Sequence, residues 1–341
     1  MIKKLRNAPK GVKILLWTAA AVLLLAVIAA LTLFFMHRAG QRSMTETPED
    51  GNENYREIIT YQGKNYVYNP NISSVALIGV DKRELGKAEG TTENGMADMI
   101  ALLVIDRENG KTTLLSLPRD TICDIDMYKG DSPTGVTRAR LCTAFGYGDG
   151  KQISCENTVR ALRRLLYGVP VQKYVCLDLD GLGKLGDTVG GVEVQSLIDL
   201  DQFDIQKGDR VTLTGAAAER YLRIRDHEQL DGASARAERQ MQYCTALSAK
   251  LAETIKKDVS RALSLYQTCL SFTLTDITAN DVTYLASTLL SKDFSALKTQ
   301  SIKGDYSAEK IGDSGDVYAA FTPDQDALYQ TVLSLFYLPI N

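Results

Sequence analysis

An uncharged apolar run near the start of the chain limits most strongly what this sequence can fold into. Residues 14–36, ILLWTAAAVLLLAVIAALTLFFM, include no Asp, Glu, Lys or Arg. As a helix with a rise of about 1.5 Å per residue, this run can span the ~30 Å hydrocarbon core of a bilayer. A buried core helix is the alternative but is seldom this long, and a cleaved signal peptide has a shorter apolar region. We therefore expect a transmembrane helix over residues 14–36.

The charges on either side of this run predict its orientation. Basic residues dominate before it, whereas the residues after it combine Arg38 and Arg42 with several acids. Basic residues are retained on the cytoplasmic side of a span, so the N-terminus is expected in the cytoplasm and the rest of the chain outside it. The predicted parts are a cytoplasmic tail (1–13), the span (14–36), a polar and irregular extracytoplasmic tether (37–55) and one domain (56–341).

The composition of the chain restricts the classes of function. Of its 341 residues, 45% are hydrophobic and 24% are charged, which is the range of globular proteins. The formal net charge of -3 argues against a nucleic-acid-binding surface, so any anion site has to be a local cluster of arginines. The chain has two histidines, His37 and His227, and no GxxxxGK[ST] loop. These features argue against an ATPase and against a Ser-His-Asp hydrolase.

Apolar runs in the outer domain predict strands that end in charged residues. A short apolar run ends at Asp81, as expected for a strand that is buried on both faces. Two further apolar runs, 98–106 and 112–117, flank Asn109-Gly110, the strongest short signal for a β-hairpin. Helical and strand patterns alternate through the rest of the domain, which predicts an α/β fold.

The hairpin register predicts that charged residues gather at one edge of the sheet. A two-residue turn places Asp98 opposite Thr121, beside Arg119 and Asp120. If the two strands that end near Asp81 and Arg119 are parallel, Asp81 reaches the same edge. Ligands of open α/β sheets bind outside the carboxyl ends of strands. From the residues alone, Arg119 and Asp120 either pair with each other to close a loop or face a charged ligand.

Six motifs along the chain together carry a resemblance to a known family. In order, they are LIGVD (77–81), an aspartate before an apolar strand (Asp98), SLPRD (116–120), TVGGVEV (188–194), YLRIR (221–225) and RAERQ (236–240). Over roughly residues 72–250 the chain resembles the LytR-CpsA-Psr family, and a single N-terminal span is typical of that family. The resemblance implies an α/β/α sandwich with a central mixed sheet and a hydrophobic pocket for a lipid.

The resemblance also implies an activity. Members of the family are membrane-anchored extracytoplasmic phosphotransferases of Gram-positive bacteria. They move a glycopolymer, such as teichoic acid or capsule, from a polyprenyl-pyrophosphate carrier to peptidoglycan through a phosphodiester. The expected partners are the lipid-linked glycan, peptidoglycan and the membrane, with no nucleic acid. The expected cofactor is Mg²⁺, with Mn²⁺ as a substitute, and the expected location is the cell membrane with the domain outside the cell.

The resemblance assigns roles to individual residues. The catalytic group is Asp81, Asp98, Arg119 and Asp120, in which Asp81 and Asp98 are the expected metal ligands, because carboxylate oxygens suit Mg²⁺. Asp120 is expected to orient an arginine rather than to bind the metal. Arginines suit pyrophosphate because their planar forks bind two phosphate oxygens at once. The expected pyrophosphate-binding residues are Arg83, Arg119, Arg140, Arg223, Arg225, Arg236, Arg239 and Gln240.

Simpler explanations stay open for these positions. Strand-end acids such as Asp98 often cap a turn, and Arg119 can form a local ion pair. Arg236 and Arg239 can lie on a solvated helix face with Glu238. Each of these explanations needs no ligand.

Two local features affect the expected site. Arg223 and Arg225 share a face only where the chain is extended, so we expect the preceding helix to end near Tyr221. Met96 stands two residues before Asp98, where the family often has an arginine. The missing arginine motivates an alternative function, a non-catalytic envelope protein that binds polyprenyl pyrophosphate or glycan, or an envelope-linked regulator.

The six cysteines allow one disulfide to be predicted. None of them forms a C-x-x-C pair, so a zinc site is not expected. Cys142 and Cys155 flank one loop and are the best candidates for a disulfide, which is permitted outside the cytoplasm. Free, buried thiols are the alternative.

Overall fold

The computed structural model describes residues 10–46, 53–80, 95–224, 232–291, 297–310 and 317–340. The helices of the described part are, in chain order, α1 (Lys10–Ser43), α2 (Thr143–Gly146), α3 (Gln152–Leu165), α4 (Leu179–Thr188), α5 (Gly215–Arg223), α6 (Gly232–Lys257), α7 (Ser260–Cys269), α8 (Ala279–Ser291) and α9 (Gln325–Phe336). The strands are β1 (Ile59–Tyr61), β2 (Lys64–Tyr68), β3 (Ile72–Val80), β4 (Ala97–Asp106), β5 (Lys111–Ser116), β6 (Ile122–Lys129), β7 (Ser132–Arg140), β8 (Lys173–Asp178), β9 (Val192–Gln195), β10 (Arg210–Leu213), β11 (Thr273–Thr275), β12 (Lys298–Ser301), β13 (Gly304–Lys310), β14 (Val317–Pro323) and β15 (Tyr337–Ile340).

A mixed sheet of six strands, in the order β11-β8-β3-β4-β5-β12, forms the centre of the domain. β3 is parallel to β8 and β5 is parallel to β12, whereas β4 is antiparallel to both β3 and β5. Because β3 and β5 are both antiparallel to β4, they run in the same direction and both end at the edge of the sheet where β4 begins. Smaller sheets, among them the hairpins β6-β7 and β13-β14, surround this centre.

Helices cover both faces of the central sheet. Side chains alternate between the faces along a strand, so Ile78 and Ile100 pack into one hydrophobic core, while Leu77 and Ala101 pack into a second. The first core is closed by α3 and α9, and the second by α4, α5 and α6. The predicted layers, helices on either side of a mixed sheet, are therefore observed.

The turn of the β4-β5 hairpin differs from the prediction. Asn109 and Gly110 were expected to form a two-residue turn, but Asp106 pairs with Lys111, so the turn has four residues. The Asp106 carboxylate accepts hydrogen bonds from the backbone N–H groups of Glu108 and Asn109, each at 3.0 Å. Such side-chain bonds to the following backbone stabilise the longer turn. The register of the whole hairpin is therefore shifted by two residues.

The C-terminal end of α1 packs against α8. Gly40 approaches α8 so closely that a Cβ atom there would overlap the Asn280 carbonyl oxygen. One turn earlier, His37 Nδ1 lies 2.8 Å from Ser287 Oγ, and its ring meets the Tyr284 ring edge-on at 5.2 Å between centroids. These contacts fix the end of α1 on the body of the domain.

The prediction of an irregular tether over residues 37–55 is wrong for most of the described residues in this range. Residues 37–43 continue α1 because α8 supplies a packing partner for them. Met44 is completely buried, and its carbonyl accepts a hydrogen bond from Ser73 Oγ at 2.7 Å. Tyr55 is buried in the first core. The described residues of this segment therefore pack on the domain.

The predicted span, residues 14–36, falls within α1. Its side chains before Leu25 lie outside the described residues. Within the part of the chain that the structure describes, no helix has the length and apolar character needed to cross a membrane.

Candidate active site

Two charged residues face each other where β5 ends and β4 begins. Hydrogen bonding continues past the end of β5, since the Leu117 N–H donates to the Ile100 carbonyl at 2.9 Å. In this register Asp98 lies across from Arg119 rather than from Thr121, the partner that a two-residue turn predicted. Arg119 Nη1 donates to Asp98 Oδ1. The Asp98 side chain is 5% exposed and that of Arg119 is 15% exposed, so the ion pair is shielded from water.

Helix α6 adds a second arginine to the same carboxylate. Arg236, near the start of α6, places Nη1 at 2.9 Å from Asp98 Oδ2, and its side chain is also buried. The cluster of Asp98, Arg119 and Arg236 therefore carries a net positive charge in a shielded position. We call these three residues the Asp98 cluster. A surplus positive charge with little water around it favours the approach of an anion.

Asp120 contacts two guanidinium groups, that of Arg119 and that of a further arginine, Arg140. Its Oδ1 lies 3.2 Å from Arg140 Nη1 and 3.6 Å from Arg119 Nε. The Arg140 guanidinium also lies over the Tyr318 ring, 4.4 Å from its centroid, where a cation is attracted by the ring face. Asp120 thus orients arginines, which is the arrangement that the sequence predicted for it.

The other side of Arg119 meets two sulfur atoms. Arg119 Nη2 lies 3.3 Å from Met96 Sδ and 3.4 Å from Cys142 Sγ. Met96, at the position where an arginine was expected, therefore places an uncharged thioether beside Arg119. The thioether adds contact but no positive charge to the site.

The predicted disulfide between Cys142 and Cys155 is not formed. All six cysteines lie in the described part of the chain, and all are free. The two thiols face different partners, since Cys142 contacts Arg119 whereas Cys155 lies beside Cys176 on β8. Burial raises the pKa of the Cys142 thiol above its usual value, although the nearby Arg119 opposes this shift.

Arg239 and Gln240 bind the end of α5. Arg239 Nε donates to the Tyr221 carbonyl at 3.0 Å, and Nη2 donates to the Ile224 carbonyl. Gln240 Nε2 donates to the Leu222 carbonyl at 3.2 Å. Carbonyls at a helix C-terminus lack helical partners, so these side chains cap α5. Burial lowers the pKa of Arg239.

The paired arginines at the end of α5 are partly described. The helix ends at Arg223, two residues beyond the predicted end near Tyr221, and Arg223 forms an i,i+4 ion pair with Glu219 (Nε to Oε1, 3.5 Å). Arg225 lies outside the described residues. So do Arg83 and Asp81, which the sequence assigned to pyrophosphate and metal.

The described residues hold one of the two expected metal ligands. Asp98 has each carboxylate oxygen on an arginine. Val80, the residue before Asp81, pairs with Ala97 across the sheet. No group of three or more His, Cys, Asp or Glu side chains that could hold a metal ion occurs within the described residues.

A cleft opens directly beside the Asp98 cluster. Its volume is about 370 Å³, and it lies between the start of α6 and the strands β12 to β14. We call it the sheet-edge cleft. The polar and aromatic residues of its lining include Asp98, Arg119, Glu238, Gln240, Gln300 and Tyr306.

A second cavity lies farther along α6, on the same face of the sheet. Its volume is about 390 Å³, and its lining is almost entirely apolar. It is enclosed by the sheet, α4, α6, α7 and α8, and we call it the apolar cavity. Representative lining residues are Leu177, Leu185, Leu251, Ile255, Leu265 and Leu285.

Comparison with known proteins identifies the family. A profile of the LytR_cpsA_psr family matches residues 33–333. The chain belongs to this family. The match extends well beyond the motif region 72–250 and includes the strands that wall the sheet-edge cleft.

Several curated relatives within the LytR-CpsA-Psr family carry names that state an activity. The chain is 29% identical over 180 residues to a protein from Enterococcus faecalis named polyisoprenyl-teichoic acid–peptidoglycan teichoic acid transferase TagU, covering 52% of this chain and 53% of the relative. It is 30% identical over 163 residues to the similarly named TagV of Bacillus subtilis, covering 46% and 39%. The matched region thus spans about half the length, or less, of these relatives.

Solved structures have the same fold. The structure titled as TagV of B. subtilis covers 78% of this chain and 96% of its own at 24% identity, with a TM-score of 0.58. A structure from E. faecalis titled as a transcriptional regulator covers 78% and 86% at 25% identity, with a TM-score of 0.59. A structure titled "TagT bound to LIIa-WTA" covers 78% and 89% at 21% identity, with a TM-score of 0.57. The mixed α/β architecture is therefore that of the LytR-CpsA-Psr family.

Sequence reasoning missed the part of the site that comes from the C-terminal third. Tyr306, Tyr318 and Phe321 lie on β13 and β14, and Phe321 forms a bridge with Thr121 beside Arg119. These strands are separated from the SLPRD motif by almost 200 residues of sequence, and no motif marks them. Only the tertiary pairing brings them to the site.

Proposed function

We propose that this chain is a phosphotransferase that moves a glycopolymer from a polyprenyl-pyrophosphate carrier to peptidoglycan. The observation that carries the proposal is the Asp98 cluster, a shielded group with net positive charge at the edge where β3 and β5 end. The names of the curated relatives support the same class of reaction. The transferred polymer is expected to be a teichoic acid or a similar wall glycan.

The arginines are suited to a pyrophosphate. Arg119 and Arg236 already face one carboxylate, and the planar guanidinium group that binds carboxylate oxygens also binds phosphate oxygens. Phosphoryl transfer needs the charge on the phosphate oxygens to be neutralised and the reacting groups to be positioned. Asp120 and Arg140 keep the Arg119 loop in place for that purpose.

The reaction that we propose forms one bond and breaks another at phosphorus. A sugar hydroxyl of peptidoglycan attacks the phosphorus on the glycan side of the pyrophosphate. The bond from that phosphorus to the bridging oxygen breaks, and polyprenyl phosphate leaves. The hydroxyl proton passes to a carboxylate, for which Asp81 is our candidate. An Asp81→Ala variant with full activity would exclude that role.

The carrier lipid fits the apolar cavity. Helix α6 runs from the Asp98 cluster to this cavity, so one helix face links a charged end with an apolar end. From Gln240 to Leu251 the helix rises by about 17 Å at 1.5 Å per residue. A polyprenyl chain that starts at the pyrophosphate can therefore lie along α6 and place its tail among Leu251, Ile255 and Leu265.

A divalent cation at the sheet edge is part of the proposal, and Asp98 would have to exchange one of its two arginine contacts for it. Asp98 offers carboxylate oxygens, and Asp81 follows a residue that pairs with the neighbour of Asp98. Oxygen ligands of this kind suit Mg²⁺, which when bound supplies positive charge to the pyrophosphate. Asp81 and Asp98 are the residues that would hold it.

The membrane location is part of the same proposal. The apolar run 14–36 in α1 and the basic residues before it favour a single-pass anchor with the domain outside the cell. A polyprenyl carrier resides in the bilayer, so an anchored enzyme would encounter its substrate by lateral diffusion in the plane of the membrane. A reporter enzyme fused after Asn341 tests the orientation, since activity of a cytoplasm-only reporter would contradict it.

The transfer itself can be tested on the full-length chain in detergent micelles. The chain is incubated with a polyprenyl-pyrophosphate-linked sugar, peptidoglycan oligomers and Mg²⁺, and the phosphodiester product is sought by mass spectrometry. We expect product from the wild type, and none with EDTA or from Arg119→Ala. Product that persists in Arg119→Ala would contradict the proposed site.

One observation favours a second candidate function. Met96 places a thioether, rather than a further arginine, 3.3 Å from Arg119 Nη2. If the site lacks enough positive charge for transfer, the chain is a binder of polyprenyl pyrophosphate that does not turn it over. Tight binding of the lipid with no product from several donors would favour this function, and Met96→Arg would then be expected to restore transfer.

A further inference from the structure

The sheet-edge cleft extends beyond the residues that face the pyrophosphate. Asp98 and Arg119 lie on one side of it, and β12, β13 and β14 form the other. On that far side the described lining offers the aromatic ring of Tyr306 and Gln300, whose Nε2 donates to Thr331 Oγ1 at 3.3 Å; Glu238, on α6, also lines the cleft. Gln300, Tyr306 and Glu238 have no part in the proposed binding of the pyrophosphate, the cation or the lipid.

The charge of the far side does not suit more phosphate. Apart from Arg119, none of the described residues that line the cleft is a lysine or an arginine. Glu238 adds a negative charge, which would repel an anionic polymer. An uncharged ligand rich in hydroxyl groups fits this side better, because amides donate and accept hydrogen bonds and carboxylates accept them from hydroxyl groups.

Tyr306 forms a fixed aromatic surface in the cleft. It is 49% exposed, and its ring packs edge-on against the Phe321 ring at 5.1 Å between centroids. The two residues are cross-strand partners in the β13-β14 hairpin. Phe321 is buried, and its N–H donates to the Asp120 carbonyl at 2.8 Å. The Tyr306 ring is therefore held at a set position relative to the Arg119 loop.

Gln240 supplies a buried acceptor in the same lining. Its Nε2 donates to the Leu222 carbonyl, which fixes the orientation of the amide. Its Oε1 is buried and has no hydrogen-bond partner within the described part of the chain. A carbonyl oxygen accepts a hydrogen bond from a hydroxyl but not from an ionised phosphate oxygen. A buried acceptor without a partner is costly, so a ligand hydroxyl here would be stabilising.

We propose that the sheet-edge cleft is a subsite for a neutral pyranose ring, which stacks on Tyr306 and hydrogen-bonds to Gln300 and Gln240. The proposal rests on the proposed transfer function and deepens it, because a ring in this cleft is adjacent to the phosphate held by Arg119. The apolar face of a pyranose suits an aromatic ring, and its hydroxyls suit the amides. The ring belongs either to the carrier-linked glycan or to the peptidoglycan acceptor.

Kinetics on the full-length chain distinguish the two sources. Transfer is measured while the lipid-linked glycan is varied at saturating peptidoglycan oligomer, and then with the two roles exchanged. We expect Tyr306→Ala to raise KM about ten-fold in one of the two series, which corresponds to ~1.4 kcal/mol of binding. A rise in the first series assigns the ring to the carrier's glycan, and a rise in the second assigns it to peptidoglycan.

Matched variants separate stacking from folding. Tyr306→Phe keeps the flat ring and should restore KM to within about two-fold of the wild type, whereas Tyr306→Leu keeps the apolar contact with Phe321 but should not restore it. Val317→Ala, at an exposed position in the same hairpin, should leave KM unchanged. A KM for both substrates that is unchanged in folded Tyr306→Ala and Tyr306→Leu would overturn the subsite.

A failure of the transfer function would be visible separately. If the wild type forms no product, binding of a neutral N-acetylglucosamine tetramer to the full-length chain is measured by calorimetry. Binding by the wild type that weakens about ten-fold in Tyr306→Leu would support the subsite without the transfer reaction. No binding to the wild type would overturn it.

Discussion

At the scale of single residues, the site depends on one carboxylate that serves two arginines. Asp98 is buried and holds Arg119 through one oxygen and Arg236 through the other. Arg119 follows a strand, and Arg236 belongs to a helix more than 100 residues later. The carboxylate therefore joins the sheet to α6 and also fixes the two guanidinium groups that we propose for pyrophosphate.

Removing this charge should weaken both folding and transfer. In Asp98→Asn the two buried guanidinium groups lose the charged carboxylate that both of them contact, and we expect the free energy of unfolding to fall by about 3 kcal/mol. Product formation should be abolished. Chemical denaturation followed by circular dichroism measures the first effect, and the mass-spectrometric transfer assay measures the second.

An exposed ion pair provides the control for Asp98. Asp124 Oδ1 lies 3.8 Å from Arg138 Nη1, and both side chains are more than half exposed. Asp124→Asn should change the unfolding free energy by less than about 0.5 kcal/mol. Equal losses of stability in the two variants would mean that the burial of Asp98 has no special importance.

Thiol chemistry tests the cysteine pairing directly. All six cysteines are free, and burial raises the pKa of Cys123 and of Cys244 to about 12, and that of Cys269 to about 11. A raised pKa leaves little thiolate at neutral pH, so thiol reagents should react slowly with the folded chain. After denaturation without reductant, titration should count six thiols. A count of four thiols would show that one disulfide is present, such as the predicted Cys142–Cys155 pair.

At the scale of elements, the packing of α1 on α8 is the least expected feature. Residues 37–43 are polar, and by composition they resemble a spacer. They stay helical because His37 forms a hydrogen bond with Ser287 and a ring contact with Tyr284, and because Gly40 allows the two helices to approach closely. This contact is tertiary, so no local pattern could have predicted it.

A single methyl group should disturb this junction. Ala is a better helix former than Gly by about 1 kcal/mol, so Gly40→Ala would stabilise α1 if only helix propensity mattered. We expect the opposite, because the added Cβ would overlap the Asn280 carbonyl oxygen. Hydrogen exchange of residues 37–44 should become faster in Gly40→Ala. Ala39→Ser, on the exposed side of the same turn, should leave the exchange unchanged, and slower exchange in Gly40→Ala would refute the close contact.

Elements with a strong local pattern were predictable, and those held by distant contacts were not. The apolar runs that became β3, β4 and β5 were identified because such strands are buried on both faces. The hairpin turn was misplaced because Asp106 caps a longer turn through its side chain. β12, with the sequence KTQS, is wholly polar, and only its parallel pairing with β5 makes it a strand.

The same distinction applies to the site. The proximity of Asp98, Arg119 and Asp120 could be predicted from the strand ends, because side chains at one edge of a sheet lie close together. The caps that Arg239 and Gln240 provide for α5 could not be read from RAERQ, since an arginine that binds carbonyls and one that binds phosphate have the same sequence pattern.

At the scale of the whole molecule, α6 connects a charged end with an apolar end. The Asp98 cluster lies at its start, and the apolar cavity lies beside its second half. The arrangement matches an amphipathic substrate whose head and tail are far apart. The size of the cavity should therefore affect substrates according to the length of their prenyl chain.

Filling the apolar cavity should impair transfer from long lipids more than from short ones. Ala286 lines the cavity and is buried, so Ala286→Phe places a ring in the space proposed for the tail. We expect KM for a long-chain polyprenyl donor to rise about ten-fold or more, and KM for a short-chain donor to change less than about two-fold. Leu290→Phe, at an exposed position of the same helix, is the control. Equal effects on both donors would place the tail elsewhere.

The contact between α1 and α8 also limits how far the domain can extend from the membrane under the proposed function. Phe35 is 65% exposed on α1, and His37 already contacts the domain two residues later, a rise of only about 3 Å along the helix. If α1 crosses the bilayer as proposed, the domain rests against the membrane surface and has no slack with which to rise from it. The proposed acceptor would then have to be glycan at the inner face of the wall, where new glycan strands are added. Mature glycan in the outer layers of the wall would lie too far from the membrane for the domain to reach.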